Sequence, residues 1–167
     1  TVTVTATGGT PPYVGTGTYT VSAGTYTYPV TDANGCTYST SITVTEPSLL
    51  VPASAAGSIL CNGGTTTVTV TATGGTPPYT GTGTYTVPAG THTYPVTDAN
   101  GCTYSTSITV TEPPLLVPAS SSGAILCYGG TTTVTVTATG GTPPYTGTGT
   151  YTVSAGTYTY PVTDANG

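Results

Sequence analysis

Residues Thr71–Val87 read TATGGTPPYTGTGTYTV, an uncharged segment in which threonine-rich stretches flank a turn built of glycine and proline. The segment recurs at Thr137–Val153 without change and at Thr5–Val21 with one change, at Val14. Shifting the chain by one period of 66 aligns 1–101 with 67–167, and only 10 of those 101 positions differ. A period of this length makes each copy a small domain rather than one coil of a solenoid. The sequence therefore predicts a longer array, of which it contains three segments: a partial repeat at 1–46, a complete repeat at 47–112 and a partial repeat at 113–167.

The first half of the complete repeat predicts strands, because apolar residues and threonine alternate with a period of two. Along Thr65–Thr73, valine and alanine alternate with threonine, so one face is apolar and the other polar. Gly74–Pro78 predicts a turn, since glycine and proline set unusual backbone angles. One or two short strands are expected to follow through Tyr85 and Val87.

The second half predicts a hairpin around Asp98–Gly101, because Asp caps its own turn and Asn-Gly supplies positive φ. Before the turn, one face is expected to carry His92, Tyr94 and Val96, while Pro95 removes a ladder donor and favours an edge or a bulge. After the turn, the side chains expected to face inward are Cys102, Tyr104, Ile108 and Val110. No segment has helical periodicity, and the regular spacing of short strands is typical of a sandwich. The predicted fold is all-β, with tandem 66-residue immunoglobulin-like β-sandwich repeats.

The segment between repeats, 112–123, is rich in proline at its start and in serine, alanine and glycine at its end. The proline-rich start predicts a short, stiff junction. The Leu115–Val117 stretch is expected to pack on the next repeat. The Ser/Ala/Gly part differs between copies and is expected to be a solvated loop.

Composition excludes several classes of partner. The chain has 5 acidic residues, no Lys or Arg and one His, for a formal charge of −5. Binding of phosphate groups relies on Lys and Arg, so neither nucleic acid nor an anionic membrane surface is an expected partner. No apolar run approaches the roughly 20 residues of a membrane helix, so membrane insertion is not expected. The 47 threonines instead favour strands that keep a polar outer face without charge.

No catalytic, cofactor or metal site is predicted. Each repeat has one Asp and one Glu, so no copy has a carboxylate pair for acid–base chemistry. The Asp98–Gly101 turn lacks the alternating oxygen ligands of a calcium loop, which favours a structural turn over a weak calcium site. His92 is the only histidine, and Tyr26 and Tyr158 replace it in the other copies, which indicates a packing role. The many hydroxyl groups have no neighbouring base that could activate them.

The cysteines predict disulfides and therefore an oxidising compartment, because metal-ligand spacing and companion histidines are missing. A 66-residue domain without Phe or Trp also has little apolar surface to bury. The preferred pairing joins Cys61 to Cys102 within one repeat, with the partners of Cys36 and Cys127 outside this sequence. The alternative pairs Cys36 with Cys61 and Cys102 with Cys127, across the junctions. In a regular immunoglobulin topology, Cys61 and Cys102 lie at opposite ends of the domain, which weighs against the preferred pairing and favours a bridge to a neighbouring domain.

Several blocks in fixed order resemble the SprB-type repeat of bacterial cell-surface adhesins involved in gliding motility. The blocks are Cys61–Gly64, the Val/Thr strand, Gly74–Tyr79, Ala89–Thr91, Val96–Cys102 and Ile108–Pro113. The resemblance covers essentially the whole chain. It implies a β-sandwich array displayed outside the cell, and it carries over no catalytic residue.

These observations predict an extracellular structural array that forms the stalk or filament body of a cell-surface adhesin or fibre. Its expected partners are neighbouring repeats and, through exposed strand edges, other copies of itself in a fibre. The alternative is a ligand-binding surface that uses the Thr-x-Thr rows to bind glycans or ice. Ice is the less favoured ligand, because it needs a flat surface and the strands of a sandwich twist. Covalent O-linked glycans are a further expectation, because exposed hydroxyls are abundant in a chain with few charges to keep it soluble. The candidate acceptors are Thr67, Thr69, Thr71, Thr103 and Thr109.

Overall fold

Alternation of threonine with valine, alanine or tyrosine produces most of the strands, and the computed structural model, which describes all 167 residues, contains no helix. The fold is all-β, as predicted, with antiparallel pairing in several small sheets. The strands are β1 (Val2–Val4), β2 (Gly17–Tyr19), β3 (Gly24–Thr31), β4 (Thr37–Val44), β5 (Val51–Ala56), β6 (Thr65–Thr73), β7 (Gly83–Pro88), β8 (Gly90–Thr97), β9 (Thr103–Val110), β10 (Val117–Ser122), β11 (Thr131–Thr139) and β12 (Gly149–Ser154). The chain divides into two compact units, Thr1–Ser48 and Leu49–Gly167.

The middle repeat shows the complete strand set. Its strands form a three-stranded sheet in the order β5-β6-β7 and a hairpin, β8-β9. In the first sheet, Val68 lies opposite Tyr85 on β7 and Ala56 on β5. In the hairpin, Tyr94 lies opposite Thr106. The two parts are bridged by the pair Thr80–Thr97, and β5 packs beside β9, so the arrangement is sandwich-like.

The core of the middle repeat lies between these two sheets, as the period-two pattern predicts. Both sheets contribute to one cluster of buried side chains, of which Val68 and Val96 are fully buried. The remaining members of the cluster are Leu50, Ile59, Val70, Val87, Tyr94 and Val110. The rings of Tyr85 and Tyr94 pack with centroids 4.8 Å apart. With no Phe or Trp available, β-branched residues and tyrosine supply the apolar volume.

Strand β5 corrects the expectation that the Ser/Ala/Gly segment is a solvated loop. Val51–Ala56 pairs along its full length with β6, and Val117–Ser122 pairs in the same way with β11. Small side chains suit this position, because the Ser54 hydroxyl lies 3.0 Å from the Thr106 hydroxyl on β9. Larger residues would separate the two strands. The sequence did not predict this strand, because its residues are small and weakly hydrophobic.

The hairpin confirms most of the predicted pattern and contradicts one part of it. Tyr94 and Val96 are buried on one face, and β8 lies in a two-stranded sheet, so Pro95 is on an edge strand as expected. Tyr104, however, is 48% exposed instead of facing inward, and Cys102 is exposed as well. The buried cluster includes Val110, at the opposite end of β9 from Tyr104. The predicted alternation is present on β9, but its buried positions do not extend to the turn end of the strand.

The other two copies contain parts of the same strand set. In the first unit, β1 pairs with β2 and β3 pairs with β4. In the third copy, the sheet β10-β11-β12 repeats β5-β6-β7, and the following residues form only the bridge Thr146–Thr163. No helix long and apolar enough to span a bilayer is found anywhere in the structure.

Candidate functional site: the repeat junction and its turns

The Asp-Ala-Asn-Gly turn of the middle repeat is organised by one buried carboxylate. Oδ1 of Asp98 accepts hydrogen bonds from the backbone amides of Asn100 and Cys102, each at 2.9 Å. Oδ2 accepts from the amide of Thr76, at 3.0 Å. The amide of Thr76 is the largest influence that lowers the pKa of the Asp98 carboxyl, and the other two amides act in the same direction against the effect of burial. Asp98 thus caps its own turn, as predicted from the sequence.

The same carboxylate joins two turns that are far apart in sequence. Thr76 belongs to the Gly/Pro turn, and its carbonyl accepts a hydrogen bond from the amide of Ala99, at 2.8 Å. The Asn100 side chain adds a bond from Nδ2 to the Thr76 hydroxyl, also at 2.8 Å. Asp32 and Asp164 make the corresponding contacts in their copies, with their carboxyl pKa values lowered for the same reason. Each copy therefore has one rigid end formed by these two turns.

The opposite end of the middle repeat is formed by the loop Cys61–Gly64 and the end of β9. The amide of Gly63 donates to Glu112 Oε2 at 2.6 Å. Nδ2 of Asn62 donates to the carbonyl of Pro113 at 3.0 Å. The proline-rich segment is therefore held against the preceding repeat, which restricts it more than proline content alone does.

The third copy continues directly from this segment. The amide of Gly141, in the Gly/Pro turn of the third copy, donates to the carbonyl of Pro114 at 2.8 Å. Nδ2 of Asn166, in the Asp-Ala-Asn-Gly turn, donates to the carbonyl of Leu60 at 2.8 Å. Asn100, at the equivalent place in the middle repeat, bonds to Thr76 of its own copy instead. The turn end of one repeat thus meets the loop end of the preceding one, and we name these contacts the junction.

Side-chain exposure supports the junction as a real packing surface. Leu60 is 59% exposed, whereas Leu126, the equivalent residue of the third copy, is 91% exposed. Ile59 does not report on the junction, because it is buried in the core cluster of its own repeat with Val110 of β9, and the third copy, where Ile125 is half-buried, has no counterpart of β9. The expected packing of Leu115–Val117 on the next repeat is found only in part. Leu116 is half-buried and its equivalent Leu50 is buried, but Leu115 and Val117 are exposed.

The structure contradicts both cysteine pairings that the sequence suggested. Cys36, Cys61, Cys102 and Cys127 are free and exposed. Cys61 lies at the junction end of the middle repeat, while Cys102 precedes β9 at the other end. The 8 residues of β9 separate the two ends by about 25 Å, far beyond the reach of a disulfide. The same separation rules out Cys102 with Cys127, since Cys127 lies at the far end of the third copy.

His92 makes a local structural contact. Its Nε2 donates to the carbonyl of Pro88 at 2.9 Å. In the other copies, Tyr26 and Tyr158 bond at the same place to Ser22 and Ser154. The two substitutions in the middle repeat are therefore coupled, because histidine and proline replace tyrosine and serine together.

The candidate glycan acceptors lie on exposed positions of two different strands. Thr67, Thr69 and Thr71 project from β6, and their hydroxyls form no hydrogen bond within the chain. Thr103 and Thr109 are also exposed, but their hydroxyls pair across the hairpin with those of Thr97 and Thr91, at 2.7 and 3.0 Å. The structure thus separates the five acceptors into three with free hydroxyls and two with paired ones.

Sequence reasoning missed the junction contacts of Glu112, Asn62 and Asn166. The only sequence signal for these contacts was that Glu112, the second carboxylate of its repeat, stands next to the predicted linker. No group of three or more His, Cys, Asp or Glu side chains is placed so that it could hold a metal ion. No protein-family model matches the sequence, and no curated protein matches it.

Proposed function

We propose that this chain is an extracellular structural repeat array, the stalk or filament body of a bacterial cell-surface adhesin or fibre. Each repeat is proposed to be an immunoglobulin-like sandwich of the SprB type. The observation that carries the proposal is the junction, where two hydrogen bonds, Asn166 to Leu60 and Asn62 to Pro113, and the partial burial of Leu60 connect consecutive repeats. Two further bonds, Gly63 to Glu112 and Gly141 to Pro114, fix the ends of the connecting segment within their own repeats. A junction of this kind gives a chain of domains defined geometry, which a stalk needs and a flexible linker does not supply.

The use of polar groups in the middle repeat also supports a structural role. The carboxylates of Asp98 and Glu112 both accept backbone hydrogens, and His92 bonds to a backbone carbonyl. Each of these three side chains therefore supports a turn, a loop or the junction.

Small-angle scattering and electron microscopy of chains with two, four and six complete repeats test the proposal. The maximum dimension is expected to rise linearly with repeat number, by about 30–40 Å per repeat for strands of eight or nine residues plus turns. A dimension that rises with roughly the cube root of chain length would indicate repeats packed around a shared core and would refute the stalk.

The same array offers exposed strand edges, so we extend the proposal to pairing between chains in a fibre. Sedimentation of the six-repeat chain over a range of concentrations distinguishes the two forms. A single rod has a constant mass, whereas a multi-chain filament gains mass as concentration increases.

A second candidate function is a ligand-binding surface. The observation that favours it is the row of free hydroxyls of Thr67, Thr69 and Thr71 on one exposed strand face. The same hydroxyls are the preferred sites for covalent O-linked glycans. Intact mass and peptide mapping of material from the native cell surface are expected to find higher sugar occupancy on the β6 threonines than on Thr103 and Thr109. The hydroxyls of those two residues are already hydrogen-bonded. A mass equal to that of the bare polypeptide would contradict glycosylation and leave the hydroxyl row open to a bound glycan.

A further inference from the structure

At the junction, the Asp-Ala-Asn-Gly turn of one repeat reaches the cysteine loop of the preceding repeat. Asn166 Nδ2 lies 2.8 Å from the carbonyl oxygen of Leu60. Leu60 directly precedes Cys61, whose side chain is exposed. The residue position after Gly167 is only two positions from Asn166, so its Cα lies within about 7.6 Å of the Asn166 Cα, at 3.8 Å per residue.

The turn itself fixes the residue that follows it. In the two turns whose next residue is in the sequence, that residue is a cysteine, Cys36 or Cys102. Its amide donates to the turn aspartate at 2.9 Å, and its carbonyl accepts from the aspartate amide at 3.0 Å. The third turn has the same internal bonds, with Asn166 N at 2.9 Å from Asp164 Oδ1. A continuation of the period therefore places a cysteine two positions after Asn166, whose side chain contacts Leu60, the residue next to Cys61.

We propose that the junction is a disulfide site, in which the loop cysteine of one repeat bonds to the cysteine after the Asp-Ala-Asn-Gly turn of the next repeat. The inference rests on the proposed array and adds a covalent link to it. For Cys61, the partner is the position directly after Gly167, which corresponds to Cys102 one period later. No two of the four cysteines in this sequence stand in that relation to each other, and all four are free.

The bond forms by thiol–disulfide exchange with a small-molecule disulfide or an oxidised thiol oxidoreductase. A thiolate of one cysteine attacks the reagent disulfide and releases one reagent thiol. The second cysteine thiolate then attacks the mixed disulfide and releases the other. Two protein thiols are thus oxidised, and one reagent disulfide is reduced to two thiols. Exposure of the cysteine loop gives the reagent access to Cys61.

The test uses the full chain with one cysteine added directly after Gly167, incubated under native conditions with oxidised glutathione and an excess of reduced glutathione, which returns unpaired thiols to the reduced form. Two of the resulting five thiols are expected to disappear, and a non-reducing peptide map is expected to join the added cysteine to Cys61. In the matched control, C61S in the same extended chain, all four remaining thiols are expected to stay reactive. The second control, C127S, changes the equivalent loop of the third copy and is expected to leave the bond intact.

Five reactive thiols, or a bond from the added cysteine to Cys36, Cys102 or Cys127, would overturn the proposal. Scattering from the same samples keeps the two proposals separate. An extended chain with all thiols free contradicts the disulfide alone, whereas a compact chain contradicts the stalk whatever its thiols do.

Discussion

At the scale of single residues, one aspartate side chain in each turn holds the backbone of that end of the repeat in place. The Asp98 carboxylate accepts three backbone amides from two separate turns, so one side chain holds the end of the repeat together. Asp98 is buried, while exposed threonines cover the surrounding strands. Sequence alone identified the local cap, because Asp-x-Asn-Gly is a hairpin signal. The bond to Thr76 depends on tertiary structure and was not predictable from the turn.

We predict that D98N lowers the melting temperature at pH 7 and weakens its acid dependence. The carboxyl pKa of Asp98 is lower in the folded chain than its ordinary value of 3.8, so the carboxylate stabilises the fold above that pH. The stabilisation is lost as pH falls through the folded pKa. Thermal unfolding from pH 7 to pH 2 measures both effects.

The control for D98N is E46Q, which neutralises a carboxylate that forms no hydrogen bond in the structure. It is expected to leave the melting temperature at pH 7 unchanged. An equal loss of stability by D98N at pH 7 and at pH 2 would show that the carboxylate charge is not what stabilises the turn.

Two glycines with similar backbone angles separate the effect of strain from that of a collision. Gly81 has φ of 84° and Gly101 has φ of 83°. A methyl group at Gly81 would collide with the carbonyl oxygen of Pro95, whereas a methyl group at Gly101 meets no atom within 4 Å. We therefore predict that G101A costs about 1 kcal/mol through φ alone, while G81A costs at least about 3 kcal/mol. Chemical denaturation of both variants checks this, and equal losses would contradict the predicted collision.

At the scale of strands, the sheet depends on a few valines, because larger apolar residues are missing. Val68 on β6 is fully buried, whereas Val51 on β5 is 50% exposed. We predict that V68A lowers the free energy of unfolding by about 2 kcal/mol, through lost burial and the cavity that remains. V51A is expected to change it by less than about 0.5 kcal/mol. A similar loss in both variants would show that the period-two pattern does not define the core.

Strands were predictable where β-branched and aromatic residues alternate with threonine. Strand β6 and the hairpin β8-β9 meet this condition, and their buried faces were predicted apart from the turn end of β9. Strand β5 does not meet it, since VPASAA contains only small residues after its first two positions. Its place is decided by pairing with β6 and by the approach of Ser54 to Thr106. Neither contact leaves a local signal in the sequence.

At the scale of the whole molecule, the turn end of one repeat contacts the loop end of the preceding repeat. The contact between Leu60 and Asn166 joins residues 106 apart, so no local pattern could predict it. The repeat period was enough to predict a series of domains, but not which surfaces meet. The choice between the cysteine pairings failed for this reason, because it depends on which end of each repeat carries each cysteine.

The junction is expected to make the chain stiff, and Glu112 holds the start of the connecting segment. Glu112 bonds to the amide of Gly63 at 2.6 Å, while Glu46 occupies the same sequence context, Thr-Val-Thr-Glu-Pro, without such a partner. We predict that E112A increases hydrogen exchange at Gly63 about tenfold, since a bond to a charged group contributes on the order of 1.5 kcal/mol. The matched variant E46A is expected to leave exchange at Gly63 unchanged.

The same pair of variants tests the mechanical role of the junction. In E112A, Asn62 and Asn166 still bond across the junction, so the repeats are expected to stay folded but to move more independently. Nuclear spin relaxation of the middle and third copies should then give a shorter rotational correlation time than in the parent chain or in E46A. An unchanged correlation time in E112A would mean that the proline-rich segment alone sets the stiffness, and that the Glu112 contact contributes only to the local order of the loop.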